Sequence, residues 1–312
     1  MTTSEAILTS QRKTPSRRHV HRDFSPGRYL AWTFLIIVMF LTLFPFYWML
    51  RTSFSNDRAL FSHPNSLLPV DFTLGPYLRV LGLASPAQAV AEGGSGASVD
   101  FLQALGNSVL YSSLVTFGQL LFCTLAAYSF ARLRWPGRNV VFFVFLTALM
   151  IPSIFTILPN FLLIRDAGLL NTVVGMSLPG LFMSPFAIFF LRQFFLGVNR
   201  ELEEAARIDG AGHLRILFRI IVPLSVAPLF TLGILTYINT WNDYFWPLLV
   251  GGTPSSRVLT VALGVFKSQT PGGAPDWAGL MAATVMAAAP ILILFFIFAR
   301  RIVDSIGFSG LR

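Results

Sequence analysis

Six long apolar runs leave this 312-residue chain few folds to choose from. They cover about Tyr29–Leu50, Ser108–Ala131, Val140–Ile164, Val173–Phe194, Leu224–Val250 and Leu280–Ala299. Each reaches the roughly 20 residues a helix needs to cross the hydrocarbon core of a bilayer. None alternates with period two, as a membrane β-barrel strand would. Helices satisfy their own backbone groups in lipid, so the runs predict an all-α membrane protein with six transmembrane helices. Only 12% of residues are charged, about half of the roughly 25% usual in soluble domains.

The net charge of +9 is a topology signal rather than a nucleic-acid footprint. With six spans, one side receives Arg12, Lys13, Arg17, Arg18, Arg22 and Arg28 of the tail, then Arg132, Arg134 and Arg138. The same side receives Arg192, Arg200, Arg207, Arg215, Arg219, Arg300, Arg301 and Arg312. The other side holds only Arg51, Arg58, Arg79, Arg165, Arg257 and Lys267. Basic residues collect in cytoplasmic loops, so both termini are expected in the cytoplasm. Residues 1–28 read as a cytoplasmic tail and the first run as an uncleaved helix, too long for a signal h-region. The membrane body is then 29–312, with external loops at 51–106 and 251–277. Cys123, the one cysteine, excludes an intrachain disulfide and is expected to pack within the second span.

Prolines and glycines organise the rest. "DFTLGPYLRVLG" reads as a short amphipathic helix on the membrane surface, and Ser85–Asp100 as a mobile small-residue loop. Pro152 and Pro159 are expected to break or kink the third run, because proline removes a backbone donor and clashes with the preceding turn. The kink is either plain packing or the lining of a pathway. Asp243 is the one carboxylate well inside an apolar run, flanked by Asn239, Trp241, Asn242 and Tyr244. Two readings fit it: a group in a solute path, or an anchor at headgroup depth, where Trp and Tyr gather. Long loops such as Gly251–Trp277 are often functional, and this one suits contact with an external partner.

Residues 199–223 interrupt the oil with charge. Asn199 suits an N-cap, and Glu201, Glu203 and Glu204 suit the positive end of a helix dipole. Gly210 suits the left-handed cap that ends such a helix. A second short helix is expected to follow, with Leu214, Leu217, Phe218 and Ile221 on one face and Arg215 and Arg219 on the other. Ala205 and Ala206 permit close approach, and the carboxylates offer charge-assisted hydrogen bonds to a partner. A solvated amphipathic loop is the plainer alternative.

Glu204, Ala205, Ala206, Gly210, Ile220, Val222 and Pro223 stand at the spacing of the coupling motif of type I ABC importer permeases. Val222 departs from that pattern, which has leucine there. "PFYWMLRTSFS", Asn107–Ser108, "MIPSIFTILP", "GLLNTVVGMSLP" and "WNDYFWPL" also resemble the smaller six-span permease of the maltose-type carbohydrate subfamily. Residues 84–100 depart from it like an insertion.

The resemblance implies a bacterial inner-membrane, multi-pass subunit that imports a sugar by alternating access. It implies a second permease, an ATPase dimer docked on 199–223 that uses ATP with Mg, and an external solute-binding protein. The chain has no G-x-x-x-x-G-K-[ST] phosphate loop of its own and no catalytic constellation, and it is expected to bind no cofactor or metal. Its direct contacts are expected with lipid and solute, not nucleic acid. Another small polar solute, a channel or a secondary transporter remains open; a membrane-embedded enzyme would need a clustered His, Asp, Glu or Ser site.

Overall fold

The computed structural model describes residues 26–95, 99–269 and 275–307, with side chains for all of these except 26, 86 and 299–307. The basic residues before 26, Pro271, Gly272 and Gly273, and the side chains of Arg300, Arg301 and Arg312 lie outside this set. The chain divides into two compact units, Met1–Tyr47 and Trp48–Arg312. Every described element is helical.

Helix α1 (Pro26–Ser53) begins in the first unit. Its apolar residues occupy the whole circumference, the mark of a helix surrounded by lipid or protein rather than water. Three short helices follow, α2 (Asp57–Ser62), α3 (Gly75–Val80) and α4 (Pro86–Ala91). Then comes the 32-residue α5 (Phe101–Arg132), against which much of the second unit packs. It begins seven residues before the second apolar run, because Asp100 accepts from the Gln103 N–H and caps it.

The next three runs are bent helix pairs. Helices α6 (Arg138–Thr147, extended by a 3-10 turn to Met150) and α7 (Ile154–Asp166) meet at 102°. The break falls at Pro152: Ile151 before it is extended (φ −84°, ψ 114°), as the residue before proline prefers. Pro159 stays inside α7, so only one of the two expected breaks forms. Helices α8 (Val173–Leu181) and α9 (Pro185–Gly197) meet at 48°, with Ser184 extended before Pro185 and capping Ala187.

Helices α10 (Arg200–Ile208) and α11 (His213–Ile216) form the charged stretch. A π turn over Leu217–Ile221 leads through α12 (Val222–Leu224) into α13 (Val226–Trp241), with an 82° bend. The fifth apolar run is therefore not one helix, and α14 (Phe245–Val250) follows only after a second break at Asn242–Tyr244. Helix α15 (Leu259–Ser268) occupies much of what reads from sequence as a loop, and α16 (Trp277–Gly307) closes the fold. Among the described residues, three helices are long and apolar enough to span a bilayer, and up to six spans result if each bent pair counts once.

Polar side chains hold the loops. Asn107 Nδ2 donates to the carbonyls of Ser255 (2.9 Å) and Arg257 (3.0 Å), and Ser108 Oγ accepts from Leu259 N–H at 2.7 Å. This fixes the start of α15, whose Leu259, Val261, Ala262 and Phe266 are buried. Arg79 of α3 is buried as well. It grips Asp276 with two hydrogen bonds of 2.8 and 2.9 Å and Glu92 with one of 2.9 Å. Gly75 and Gly94 make room, since a Cβ on either would meet the Glu92 carboxylate at 1.9 Å or Arg79 and Asp276 at 2.8 Å. The start of the small-residue segment is thus tied down: a capping box starts α4 at Ser85, and Glu92 holds its end.

Asp57 joins this cluster by accepting from the Ala278 N–H at 2.9 Å. Burial raises its pKa to about 6 from 3.8, and the nearby Asp276 adds to the rise. A raised carboxyl pKa favours the protonated form on folding. Its stabilisation is complete below pH 3.8 and is lost as pH rises through about 6. Hydrogen exchange over 57–62 and 75–80, corrected for intrinsic rates, should therefore lose protection across that window. Asp57→Asn keeps the Ala278 bond and should flatten the dependence; an unchanged slope would disprove the assignment.

Candidate functional site

The charged stretch at 199–223 builds as capping chemistry requires. Asn199 Oδ1 accepts from Glu201 N–H at 3.1 Å and starts α10. Gly210 (φ +80°) ends it, and Ala211 N–H returns to the Ala206 carbonyl at 2.8 Å. Its three carboxylates then separate. Glu201 and Glu204 are exposed, whereas Glu203 is only 4% exposed and pairs with Arg132 at the end of α5 (3.0 Å). Arg132 also donates to the carbonyls of Phe195 and Val198 at the end of α9, and Arg207 reaches Glu203 at 3.9 Å. One guanidinium therefore joins α5, α9 and α10.

The second short helix shows a different face from the one its spacing suggests. Ile216, Leu217 and Ile221 are fully buried, while Leu214 (64%) and Phe218 (48%) are exposed. Across the π turn at 217–221, Ile216 and Ile221, five apart, share the buried side together with Leu217. Arg215 and Arg219 are exposed, Ile220 is half-buried, and Pro223 lies in the short helix before the 82° bend. Glu204, Ala205 and Ile208, the last 87% exposed, form an open surface with Leu214 nearby in sequence. Ala206 is half-buried against the core that contains Ile216 and Leu217.

The second candidate group is divided as well. Trp241 is 5% exposed and stacks on Tyr237, with ring centres 5.9 Å apart, so its ring is taken up by packing. Asn239, Asn242 and Tyr244 are exposed and Asp243 is half-buried. Asp243 lies in the break between α13 and α14, not inside a helix. Its Oδ2 accepts from Tyr111 at 3.0 Å, and its carbonyl accepts from Thr260 at 2.6 Å, which ties the break to α5 and α15. Pro152 is exposed at the α6–α7 bend, and Pro159 is exposed within α7. Helix α7 reaches α14 through Phe161, Ile164, Trp246 and Val250.

A cleft of about 560 Å³ between α5, α13 and α16 is lined by Ser113, Thr116, Gly233, Tyr237 and Phe298 among others, and by none of Asn239–Tyr244. Gln119, outside every motif above, bridges α5 to α8 (Gly180 carbonyl, 2.8 Å) and faces Thr236 of α13 at 3.5 Å. A lone glutamine in an apolar run was the available signal.

Removing one partner of a buried ion pair costs about 3–5 kcal/mol. Glu203→Ala should lower the stability of the detergent-solubilised chain by that order, whereas Glu204→Ala, exposed and unpaired among the described residues, should be near neutral. Replacing both partners by apolar residues (Arg132→Met with Glu203→Leu) should recover much of the loss. Equal losses for Glu203→Ala and Glu204→Ala in denaturant titrations would contradict this assignment.

Residues 119–307 match the family model described as "Binding-protein-dependent transport system inner membrane component". The chain is 34% identical over 276 residues to the sn-glycerol-3-phosphate transport system permease protein of Yersinia pestis, covering 87% of this chain and 94% of that one. It is 32% identical over 288 residues to the arabinooligosaccharides transport system permease protein of Halalkalibacterium halodurans (91% and 97%). It is 31% identical over 278 residues to the trehalose/maltose transport system permease protein of Thermococcus litoralis (89% and 94%). Among solved structures, a bacterial ABC transporter involved in the import of the acidic polysaccharide alginate superposes with a TM-score of 0.74 at 25% identity, covering 88% of this chain and 95% of that one. The helical break pattern, the capped hairpin and these matches together place the chain: it belongs to the binding-protein-dependent transport family, as an inner-membrane permease subunit with the type I ABC importer fold.

Proposed function

We propose that this chain is one of two permease subunits of an importer for a sugar or oligosaccharide, and that 199–223 is where a separate ATPase drives it. Both termini and the hairpin lie in the cytoplasm, and ATP with Mg is bound and hydrolysed by the ATPase dimer, since this chain carries no phosphate loop. An external binding protein delivers the solute. The observation that carries the coupling role is the two-sided build of α10. Its Glu203 is locked to Arg132, while Glu204, Ala205 and Ile208 are open to a partner. A helix held rigidly on one face and free on the other transmits a push as a rigid body. Gly210 sets its end, and Ile220 and Pro223 form the joint leading into α13.

On the solute side, Asn239, Asn242, Asp243 and Tyr244 border the break after α13, with Pro152 and Pro159 shaping the α6–α7 bend. Exposed amides and a tyrosine ring suit hydroxyl-rich solutes, which want uncharged hydrogen bonds and an aromatic face. The similarity to oligosaccharide, trehalose/maltose and glycerol-phosphate permeases supports a polyhydroxylated solute. The glycerol-phosphate relatives also favour a second reading, a small phosphorylated polyol.

Glu204→Lys should abolish solute uptake and binding-protein-stimulated ATPase in the reconstituted complex while leaving membrane insertion intact. Normal uptake and stimulation in that variant would refute the coupling role. A tagged chain that brings down no ATPase would favour a stand-alone channel or secondary transporter instead.

A further inference from the structure

Close to the Arg132–Glu203 pair, the turn between α5 and α6 forms a cationic pocket that the transport reading leaves unused. It measures about 580 Å³ and is lined by Arg132, Arg134, Trp135, Gly137, Arg138, Asn139, Val140 and Arg200. Arg132 is committed to Glu203, and Arg138 donates to the Leu133 carbonyl at 2.9 Å. Arg134 and Arg200 are exposed, and neither has a carboxylate partner among the described residues. Arg200 also lies close enough to Arg132 for the two charges to repel. No carboxylate lines this pocket; Glu203 and Glu204 line the adjoining one, which shares Arg132, Arg134 and Arg200, and of these three arginines only Arg132 is paired.

Its floor adds donors. Gly137 (φ +77°) precedes the ten-residue α6, and no side chain caps that helix. First-turn amides without a capping side chain, at the positive end of a helix, suit an anion. The Trp135 indole donates to Ser129 Oγ at 3.2 Å and sits half-buried at the rim.

Beyond the rim the surface turns apolar. Val140 (67%), Phe143 (67%) and Val144 (64%) are exposed along α6, next to the arginines in sequence. A soluble anion has no use for that surface, whereas a phospholipid places its phosphate among the arginines and its chains along α6. Basic pockets beside membrane helices hold anionic headgroups in this manner. From this geometry we infer that the α5–α6 turn binds a phosphate anion, carried by the headgroup of an anionic phospholipid such as phosphatidylglycerol. The inference needs the membrane setting of the family but neither the solute class nor the coupling role, so an uncoupled or differently specific importer leaves it standing.

The test uses the full complex purified from mixed phosphatidylcholine–phosphatidylglycerol membranes. Phosphatidylglycerol retained after detergent washing is quantified per complex for the native protein, for Arg134→Gln with Arg200→Gln, and for Arg134→Lys with Arg200→Lys. Two cationic contacts at about fivefold each predict a loss of about 25-fold in the glutamine variant and little loss in the lysine variant. Equilibrium dialysis with labelled inorganic phosphate separates the sources. Charge-dependent retention of lipid without phosphate binding supports the headgroup. Saturable phosphate binding that needs the two arginines, with equal lipid retention in all three proteins, keeps the anion and overturns the lipid as its carrier. No difference in either measurement overturns the site. Loss of the ATPase subunit from the glutamine variant with lipid retention unchanged overturns it too, by making these arginines a protein contact.

Discussion

Inside a bilayer each backbone N–H and C=O must find its partner within protein, because lipid offers none. Every interruption of a helix in this chain therefore has to be covered by something specific. At the end of α14, Asn171 N–H donates to the Val250 carbonyl at 2.7 Å, and Asn171 Oδ1 accepts from Thr253 N–H at 3.2 Å. Trp246 Nε1 donates to the Met176 carbonyl at 2.9 Å. Gln119 covers Gly180, and Cys123 sits beside the α8–α9 break, its sulfur accepting from Ser184 N–H at 3.3 Å. The bends that shape the second unit exist because these side chains stand where the carbonyls and amides are released.

Two arginines do the equivalent work for charge, near the two ends of α5. Arg79, packed beside Val80 near the start of α5, joins α3 to Glu92 at the end of α4 and to Asp276 just before α16. Arg132, at the far end, joins α5, α9 and α10. A buried guanidinium is costly to desolvate, and its bidentate or multiple hydrogen bonds offset that cost only in one arrangement. Such contacts specify how elements meet more than they add stability. Here they hold α10 to the end of α5, while Glu204 stays exposed.

The apolar helices, the capped hairpin and the break at Pro152 were legible, since periodicity, Asn199, Gly210 and Pro152 act through their near neighbours. Helices α4 and α15 were not. Their segments read as loops because "SPAQAVAEGG" is small and polar and the 251–277 stretch is rich in glycine and proline. What orders them comes from far along the chain: Arg79 on Glu92, and Asn107 and Ser108 on the residues before α15. The face of the second short helix was legible only in part: Leu217 and Ile221 are buried at their expected spacing, while Leu214 and Phe218 are exposed and Ile216 joins the buried side across the π turn. Trp241 looked like a solute platform by residue type, yet its neighbours Val80, Leu259 and Ala283 come from distant segments and bury it.

By itself the sequence determined a helical membrane permease with a charged hairpin, because hydrophobic run length, helix caps and motif spacing are properties of contiguous residues. Only the tertiary structure decided which of three adjacent carboxylates is a buried strut and which faces outward. It also decided that the sole carboxylate of the apolar runs lies in a helix break, bonded to Tyr111. The reason is the same in both cases: burial and pairing depend on what packs against a side chain, and Arg132 and Tyr111 are 71 and 132 residues away from the groups they hold.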